Sequence, residues 1–328
     1  MLAIAAFLAG AVVSLATSWL LVSRLERVGE RLGLSEALLG MVAALAADAP
    51  EITSAVSAMA SHQTRIGAGV VIGSNVFNLA ALLGLGAVVA RRIGLHRRVV
   101  LLGGSVAMWV AIVCLGVVGG GVPVAAGLVL TVAVLGLYLV LLGTEGRATG
   151  PLPPRWAAWL RSAVTEEEVE LEEAIRPIRG RWQDAVTAAV ALAVVVVASV
   201  IMEQAAASLG RRYAVPEIVV GGLVLAAVTS LPNAVAAVYL AARGRGAATL
   251  STALNSNTLN VVAGLLLPGA VIGLGSPSGQ AALVTVWYAA LTLAVLALAY
   301  RHRGLSRRSG LLIIAAYAVF VVSVLAST

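Results

Sequence analysis

Two stretches of this sequence decide its fold. Residues 40–60 read GMVAALAADAPEITSAVSAMA, and residues 222–242 read GLVLAAVTSLPNAVAAVYLAA. An offset of 182 residues places Pro50 on Pro232. The same offset superimposes Gly40 on Gly222, Ser74 on Ser256, Asn75 on Asn257 and Asn78 on Asn260. Agreement at apolar positions means little in so apolar a chain, but agreement at a proline and at polar positions indicates an internal repeat.

The composition places the chain in a lipid bilayer. Of its 328 residues, 60% are hydrophobic and 11% are charged, whereas soluble domains carry roughly a quarter charged residues. This shortfall excludes soluble enzymes, coiled coils and disordered scaffolds. The net charge of +7 comes from arginine, which supplies all 22 basic residues. Because the arginines flank apolar runs, they indicate membrane topology and not nucleic-acid binding.

Apolar runs predict the number of membrane crossings. A helix needs about 20 apolar residues to cross the hydrocarbon core. The predicted fold class is therefore an all-α integral membrane protein with ten transmembrane helices as two inverted five-helix repeats. The predicted spans are 2–22, 34–60, 67–90, 99–119, 121–143, 183–207, 216–241, 247–273, 279–300 and 310–327.

The distribution of arginine predicts the orientation. Of the 22 arginines, 19 lie in the connections that follow odd-numbered spans. Since cytoplasmic connections are enriched in arginine and lysine, this side is cytoplasmic. We therefore expect a multi-pass protein of the cell membrane with both termini outside and the 144–182 loop in the cytoplasm.

One long connection, 144–182, divides the chain into two halves. Six glutamates lie between Glu166 and Glu173. We interpret the connection as a solvated, partly helical linker; a regulatory or cation-sensing loop is the alternative. The predicted domains are a first five-helix half at 1–143 with repeat 1 at about 34–85, this cytoplasmic linker, and a second five-helix half at 183–328 with inverted repeat 2 at about 216–267.

The topology gives the repeat a meaning. An odd number of spans in each half inverts the second copy, and inverted repeats are typical of transporters with a midplane site on interrupted helices. Pro50 and Pro232 provide the interruption, because each removes a backbone donor and frees a carbonyl group inside the membrane. Acids beside the breaks favour a cation over an anion as the cargo.

Acidic residues point to the same place. Of the 15 acids, only Asp48 and Glu51 fall in the middle of a predicted span, while Glu36, Asp184, Glu203 and Glu217 lie near span ends. A carboxylate at this depth is costly and indicates function. Asp48 and Glu51 are three residues apart and share a helical face. Two adjacent carboxylates favour a bound cation or a shared proton.

At these residues the sequence resembles the sodium/calcium exchanger (cation/calcium antiporter) superfamily. Members of that family carry Gly-Thr-Ser-x-Pro-Glu on one helix and Gly-Ser-Asn-x-x-Asn/Asp on the next, in both repeats. The first repeat here keeps Pro50-Glu51 and the run Gly73 to Asn78. The second keeps Thr229-Ser230-Leu231-Pro232, followed by Ser256-Asn257 and Asn260. The resemblance implies ten spans, inverted repeats and secondary active transport without an enzymatic activity.

Four positions depart from the family pattern. Members that carry calcium resemble one another in having a glutamate after the proline of both repeats, and the second repeat here has Asn233. Ala47-Asp48 stands in place of Thr-Ser, Asn255 in place of the glycine, and Asn260 in place of an acid. All four lie at positions where the resemblance implies ligands, so they bear on the choice of ion.

The predicted function is a secondary active cation antiporter that exchanges Ca²⁺ for Na⁺ or H⁺ by alternating access at a midplane site. The alternatives are the same fold carrying a different cation and a transport-inactive regulatory homologue. The predicted helix breaks are Pro50 and Pro232, and the predicted cation ligands are Asp48, Glu51, Ser74, Asn78, Thr229, Ser230, Asn233, Ser256 and Asn260. We expect inorganic cations and the lipid bilayer as partners, with no cofactor, no nucleic acid and no obligate protein partner.

Overall fold

The computed structural model describes residues 1–34, 36–144, 153–174 and 180–327, and for 36–40 and 166–174 it describes the backbone alone. Most of the described chain is helical. The first half contains α1 (Leu2–Arg31), α2 (Glu36–Ala47), α3 (Ala49–Ala60), α4 (Thr64–Val89), α5 (Arg97–Val118) and α6 (Val124–Gly143). Helix α7 (Pro154–Ala174) lies between the halves in sequence.

The second half repeats this order. It contains α8 (Trp182–Arg212), α9 (Glu217–Thr229), α10 (Leu231–Ala242), α11 (246–272), α12 (Gly279–His302) and α13 (Arg307–Ala326). Short π-helical segments interrupt α4 at Leu79–Leu85, α9 at Val220–Leu225 and α11 at Asn260–Leu266. In α4 and α11 the segment comes at the end of the Ser-Asn-x-x-Asn element, where the backbone widens within the helix.

The chain is a multi-pass membrane protein. Within the described residues, seven helices are long and apolar enough to cross a membrane, and the pair α9–α10, bent by 47°, adds an eighth if it is one span. Helices also occupy the predicted spans 34–60, as α2 with α3, and 247–273, as α11. All ten predicted spans are therefore helical, while the count of ten crossings stays a prediction.

The packing of α1 against α8 confirms the inverted relationship of the halves. At one end, Arg24 Nη1 lies 2.7 Å from Asp184 Oδ1. At the other end, Gly10 packs so closely that a Cβ there would lie 3.0 Å from Met202 Cβ. The residue numbers rise in opposite directions, so the two helices are antiparallel. Since the repeat offset places α1 on α8, inversion of the second copy accounts for this packing.

Both predicted helix breaks are present. Asp48 separates α2 from α3 at φ −79° and ψ −5°, and Ser230 separates α9 from α10 at φ −81° and ψ −2°. Pro50 and Pro232 lie in the first turn after each break, where a helix tolerates proline because its first N–H groups lack intrahelical partners. The two copies therefore have the same local backbone.

A pair of three-residue strands adds to the predicted all-helical fold. Strand β1 (Arg92–Gly94) pairs antiparallel with β2 (Gly304–Ser306), so the connection before α5 is joined to the one before α13. Gly304 has φ 138°, and a Cβ there would collide with the carbonyl group of Ile93. Only glycine fits this position.

Part of the linker is docked onto the bundle. Ala163 and Val164 of α7 are fully buried and pack in one cluster with Tyr138 and Leu142 of α6. The expectation of a solvated loop is therefore incomplete, because α7 has an apolar face that α5 and α11 cover. The side chains of the glutamate run at 166–173 lie outside the described residues.

Candidate functional site

Asp48 is held by two residues of the second half. Its Oδ1 accepts a hydrogen bond from Asn233 Nδ2 and another from Ser256 Oγ, each 2.6 Å long. Asp48 is fully buried, and Asn233 and Ser256 are at most 1% exposed. Because α10 supplies the amide and α11 the hydroxyl, both helices of the second repeat contact the break in the first.

Glu51 makes the equivalent contact. Its Oε1 accepts a hydrogen bond from the hydroxyl group of Ser230, at the break in the second repeat. The repeat offset pairs Asp48 with Ser230 and Glu51 with Asn233. The Ser230–Glu51 and Asn233–Asp48 bonds are therefore counterparts about a pseudo-two-fold axis. The Glu51 carboxylate also neighbours the side chains of Asp48 and Asn260.

A reciprocal asparagine pair marks the axis itself. Asn75 Nδ2 donates to the Asn257 carbonyl oxygen at 3.0 Å, and Asn257 Nδ2 donates to the Asn75 carbonyl oxygen at 3.1 Å. The offset makes these two residues counterparts of each other, so each contact maps onto the other. Helices α4 and α11 therefore cross at this pair.

The third polar residue of each Ser-Asn-x-x-Asn element crosses to the opposite copy. Asn78 Nδ2 donates to Asn257 Oδ1 at 3.1 Å, and Asn260 Nδ2 donates to Asn75 Oδ1 at 3.4 Å. Asn78 Nδ2 also lies 3.2 Å from Ser256 Oγ. In both asparagines the amide nitrogen is engaged, so their side-chain oxygens are the atoms left for a ligand.

Buried acceptor oxygens without a donor surround the two acids. They are Asp48 Oδ2, Glu51 Oε2, Asn78 Oδ1, Asn233 Oδ1 and Asn260 Oδ1. A buried acceptor that lacks a partner is costly, and five of them in one cluster are not explained by packing. Each is an oxygen, the ligand atom that hard cations such as Ca²⁺ prefer. These five atoms can bind a cation, and none of them is a donor for an anion.

Two predicted ligands have other contacts in this structure. Ser74 Oγ donates to the Ala226 carbonyl oxygen at 3.5 Å, and Thr229 Oγ1 donates to the Leu225 carbonyl oxygen at 2.9 Å. Both residues are buried on helices that line the site. A hydroxyl group that donates its hydrogen retains lone pairs on oxygen, so their role as ligands stays a prediction.

Within the described residues, no cationic side chain forms an ion pair with Asp48 or Glu51. The ion pairs there that involve buried acids join Arg24 and Arg27 to Asp184, at the far end of α1 and α8. The same part of the chain contains no cluster of three histidine, cysteine or acidic side chains. The site therefore combines two carboxylates with neutral oxygens, and its negative charge is left for an ion.

Close helix packing holds the site together. A Cβ on Gly73 of α4 would lie 2.6 Å from the Cα of Gly222 in α9, and a Cβ on Gly69 would lie 2.9 Å from the Gly222 nitrogen. Gly69 and Gly73 therefore allow α4 and α9 to cross with their backbones in contact. Small residues at such crossings are the usual means of helix association in lipid.

Sequence reasoning misses three polar residues. Asn75 and Asn257 are absent from the predicted site, although the repeat offset pairs them. The sequence places Glu203 near the end of a span that stops at 207, but α8 continues to Arg212 and the Glu203 side chain is fully buried. The arginines at 211 and 212 stay helical at the carboxyl end of α8, where basic residues suit the helix dipole.

A family of known proteins matches most of this chain. The family described as "Sodium/calcium exchanger protein" matches residues 2–144 and 184–326. The two matched segments correspond to the two halves and omit the linker. A curated relative, a putative antiporter CaxA of Alkalimonas amylolytica, is 32% identical over 82 residues, which is 25% of this chain and 26% of the relative.

Solved structures share the fold. The H⁺/Ca²⁺ exchanger CAX superimposes with a TM-score of 0.73 at 15% identity, over 98% of this chain and 82% of that chain. The sodium-calcium exchanger NCX_Mj, soaked with Na⁺ and Sr²⁺, superimposes with a TM-score of 0.60 at 21% identity, over 98% of both chains. At such identities the likeness establishes the common fold.

Proposed function

Because the chain belongs to the sodium/calcium exchanger family, we propose that it is a secondary active antiporter that exchanges Ca²⁺ for Na⁺ or H⁺. The transported ions bind at the site where the two helix breaks meet. The choice of Na⁺ or H⁺ as the counter-ion is inferred from two solved structures of this fold, one of an H⁺/Ca²⁺ exchanger and the other of a sodium-calcium exchanger. Exchange proceeds by alternating access of the two inverted halves to this site.

The observation that carries the proposal is the cluster of five buried oxygens without a donor. Ca²⁺ takes six to eight oxygen ligands in flexible geometry. Asp48 Oδ2 and Glu51 Oε2 supply the charge, and the side-chain oxygens of Asn78, Asn233 and Asn260 supply neutral ligands. Four hydroxyl groups complete the predicted set, those of Ser74, Thr229, Ser230 and Ser256.

Charge balance gives the exchange its coupling. The two carboxylates balance one Ca²⁺ or two monovalent cations. An occupied site is then neutral and can change its facing without moving bare charge through hydrocarbon, which is costly. An empty, fully ionised site carries two buried negative charges. The change between the inward-facing and outward-facing states is therefore unfavourable for the empty carrier. Antiport follows because each half-cycle needs an ion.

The orientation follows from the arginine count. Both termini lie outside, and the 144–182 linker lies in the cytoplasm. In this orientation the turns at 61–63 and 213–216 lie on the external face. Cysteine labelling with an impermeant maleimide tests the assignment, since a cysteine at His62 would react from outside intact cells and one at Arg92 would not.

Flux through reconstituted protein tests the function. Proteoliposomes loaded with Na⁺, or acidified inside, are expected to accumulate ⁴⁵Ca²⁺ when diluted into ion-free or alkaline buffer. Glu51→Gln is expected to abolish uptake because the remaining single charge cannot balance Ca²⁺. The matched control is Glu217→Gln, which changes an acid at the start of α9 outside the site. Absence of uptake in wild type under either gradient would refute the proposal.

A different cargo is the second candidate. Asn233 and Asn260 supply amide oxygens where the family resemblance implies acids, so this site has a high proportion of neutral ligands. Uptake of ⁴⁵Ca²⁺ into the same vesicles, measured with Sr²⁺, Mn²⁺ or Mg²⁺ as a competitor, shows whether Ca²⁺ or another cation is the cargo. Stronger inhibition by another ion than by unlabelled Ca²⁺ would reassign the cargo and keep the mechanism.

A further inference from the structure

Glu203 is a buried acid that the proposed exchange does not use. Its side chain is fully buried on α8. Ser57 Oγ of α3 donates to its Oε2 at 2.8 Å, and its Oε1 has no partner. The helix continues beyond it to Arg212, so Glu203 lies about 13 Å inside the end of α8 at 1.5 Å per residue.

Two serines of α3, Ser54 and Ser57, lie between Glu203 and the central site. Ser54 is three residues from both Glu51 and Ser57 on α3, so it neighbours each of them on the helix surface. Ser54 is fully buried, and its hydroxyl group has no partner. From Glu51 to Ser57 the helix rises about 9 Å. The hydroxyl groups of Ser54 and Ser57 therefore follow Glu51 along α3 towards Glu203.

Within the described residues, no cationic side chain forms an ion pair with Glu203. The ion pairs of α1 with α8 lie at the opposite end of α8, at Asp184. Arg211 is two turns further along α8, where it donates to Gln63 Oε1 at 3.2 Å on an exposed surface. Arg211 attracts the Glu203 carboxylate without forming an ion pair with it. A buried carboxylate in a membrane protein that forms no ion pair binds a proton or a cation, because the bare charge is costly.

We propose that Glu203, with the hydroxyl groups of Ser57 and Ser54, is a station for one monovalent cation, Na⁺ or H⁺, on the path of the counter-ion to the central site. The inference rests on the proposed antiport. One carboxylate balances one monovalent charge. Ca²⁺ takes at least six oxygens, and at this station it would leave an uncompensated positive charge. The station therefore selects the counter-ion and not Ca²⁺.

The station exists on one side of the molecule only. The repeat offset places Glu203 on Leu21, Ser57 on Tyr239 and Ser54 on Ala236. Leu21 is buried and apolar, so the inverted path has no equivalent. The Arg211–Gln63 bond joins the end of α8 to the turn between α3 and α4, which places the station towards that face. In the proposed orientation the counter-ion is thus captured from outside.

Ion binding to purified full-length protein tests the station directly. Both arms use protein in Ca²⁺-free detergent solution. In the first arm, the protein is titrated with ²²Na⁺ at alkaline pH. In the second arm, the protons that the protein releases during an alkaline titration are counted in Na⁺-free buffer. We expect Glu203→Gln to bind one fewer ion per molecule in the arm that corresponds to the true counter-ion. Unchanged stoichiometry in both arms would overturn the proposal.

Transport separates the station from the central site. Since a hydrogen-bonded charged ligand contributes about tenfold or more to an equilibrium, Glu203→Gln is expected to raise the half-saturating counter-ion concentration about tenfold. Binding of ⁴⁵Ca²⁺ without counter-ion should stay within about twofold of wild type, because Ca²⁺ does not need the station. An equal loss of Ca²⁺ binding would overturn the proposal in favour of a structural role.

Two variants of α8 control for disruption of the helix. Glu203→Asp keeps the charge and should retain most of the counter-ion binding. Ser199 lies one turn from Glu203 on α8, and Ser199→Ala removes its 2.8 Å hydrogen bond with Ser14. This variant should keep the counter-ion dependence of the wild type. If Glu203→Gln does not fold, Ser57→Ala decides, with a smaller shift in the same direction expected and no shift contradicting the station.

The station and the antiport can fail separately. Wild-type protein without gradient-driven ⁴⁵Ca²⁺ flux would refute the antiport, while the ion-binding arms still decide whether Glu203 holds a cation. Wild-type flux together with wild-type counter-ion dependence in Glu203→Gln would refute the station alone.

Discussion

Asn233 donates a 2.6 Å hydrogen bond to Asp48 and is at the same time the pseudo-two-fold counterpart of Glu51. The counterpart of Asp48 is Ser230, which donates to Glu51. The contacts across the axis are therefore symmetric, whereas the charge is not. Both carboxylates belong to the first half, and their neutral partners belong to the second.

This relationship predicts that one carboxylate can be moved across the axis. Asp48→Ser leaves one negative charge and is expected to abolish Ca²⁺ transport. Asn233→Glu alone adds a third carboxylate and is expected to slow the release of Ca²⁺ from the site. The double variant again has two charges, and its introduced hydroxyl group faces its introduced carboxylate as Ser230 faces Glu51. It should recover transport, measured as ⁴⁵Ca²⁺ uptake. A double variant as inactive as Asp48→Ser would contradict the idea that the total charge at this contact determines whether Ca²⁺ is transported.

The reciprocal pair Asn75–Asn257 should stabilise the crossing of α4 and α11. Asn75→Ala and Asn257→Ala each remove buried hydrogen bonds to the opposite helix, and each such bond contributes about 0.5–1.5 kcal/mol. Because the contacts are counterparts, the two variants should lower the thermal unfolding midpoint by similar amounts, and the double variant by less than the sum. Very different single effects would show that the pair is not symmetric in energy.

Gly73 should tolerate no side chain. Gly73→Ala places a methyl group against the Gly222 backbone, and overpacking of this kind costs about 1–3 kcal/mol. The control is Gly136→Ala in α6, where a Cβ meets nothing within 4 Å and removal of a helical glycine should be neutral or stabilising. Thermal unfolding in detergent compares them, and equal midpoints for the two variants would contradict the close crossing.

Protons should compete with Ca²⁺ for the two buried carboxylates. Ca²⁺ binds the ionised groups, so its apparent affinity should fall as the pH falls, with a limiting slope of about two in log K against pH when both groups must lose a proton. Asp48→Asn, which retains one carboxylate, should reduce this slope to about one. Isothermal titration at a series of pH values measures it, and a pH-independent affinity in wild type would contradict direct ligation by these acids.

Much of the fold can be predicted from patterns in this single sequence. The positions of Pro50 and Pro232 predict both helix breaks, because proline in an apolar run has few structural explanations. The acids Asp48 and Glu51 predict the location of the site, because charge inside a span is rare. The odd number of spans in each half also predicts the inversion, which the antiparallel contacts of Arg24 with Asp184 and Gly10 with Met202 confirm.

The partners within the site could not be predicted. An offset shows which residues are counterparts but not which of them touch, and Asn75 meets its own counterpart whereas Asp48 meets the counterpart of Glu51. The docking of α7 through Ala163 and Val164 is also hidden, because short apolar faces among charged residues are common in solvated helices. The contact of Glu203 with Ser57 could not be predicted either, because hydropathy locates helix ends poorly where arginines continue the helix.

An anomalous difference map from crystals soaked in Mn²⁺ or Sr²⁺ tests the central claim most directly. We expect one strong peak at cation–oxygen distances of about 2.0–2.6 Å from both Asp48 Oδ2 and Glu51 Oε2, with an amide oxygen of Asn233 in the same shell, and loss of that peak in Glu51→Gln. A peak confined to surface acids, or a map in which the two carboxylates contact no ion at saturating concentration, would contradict it.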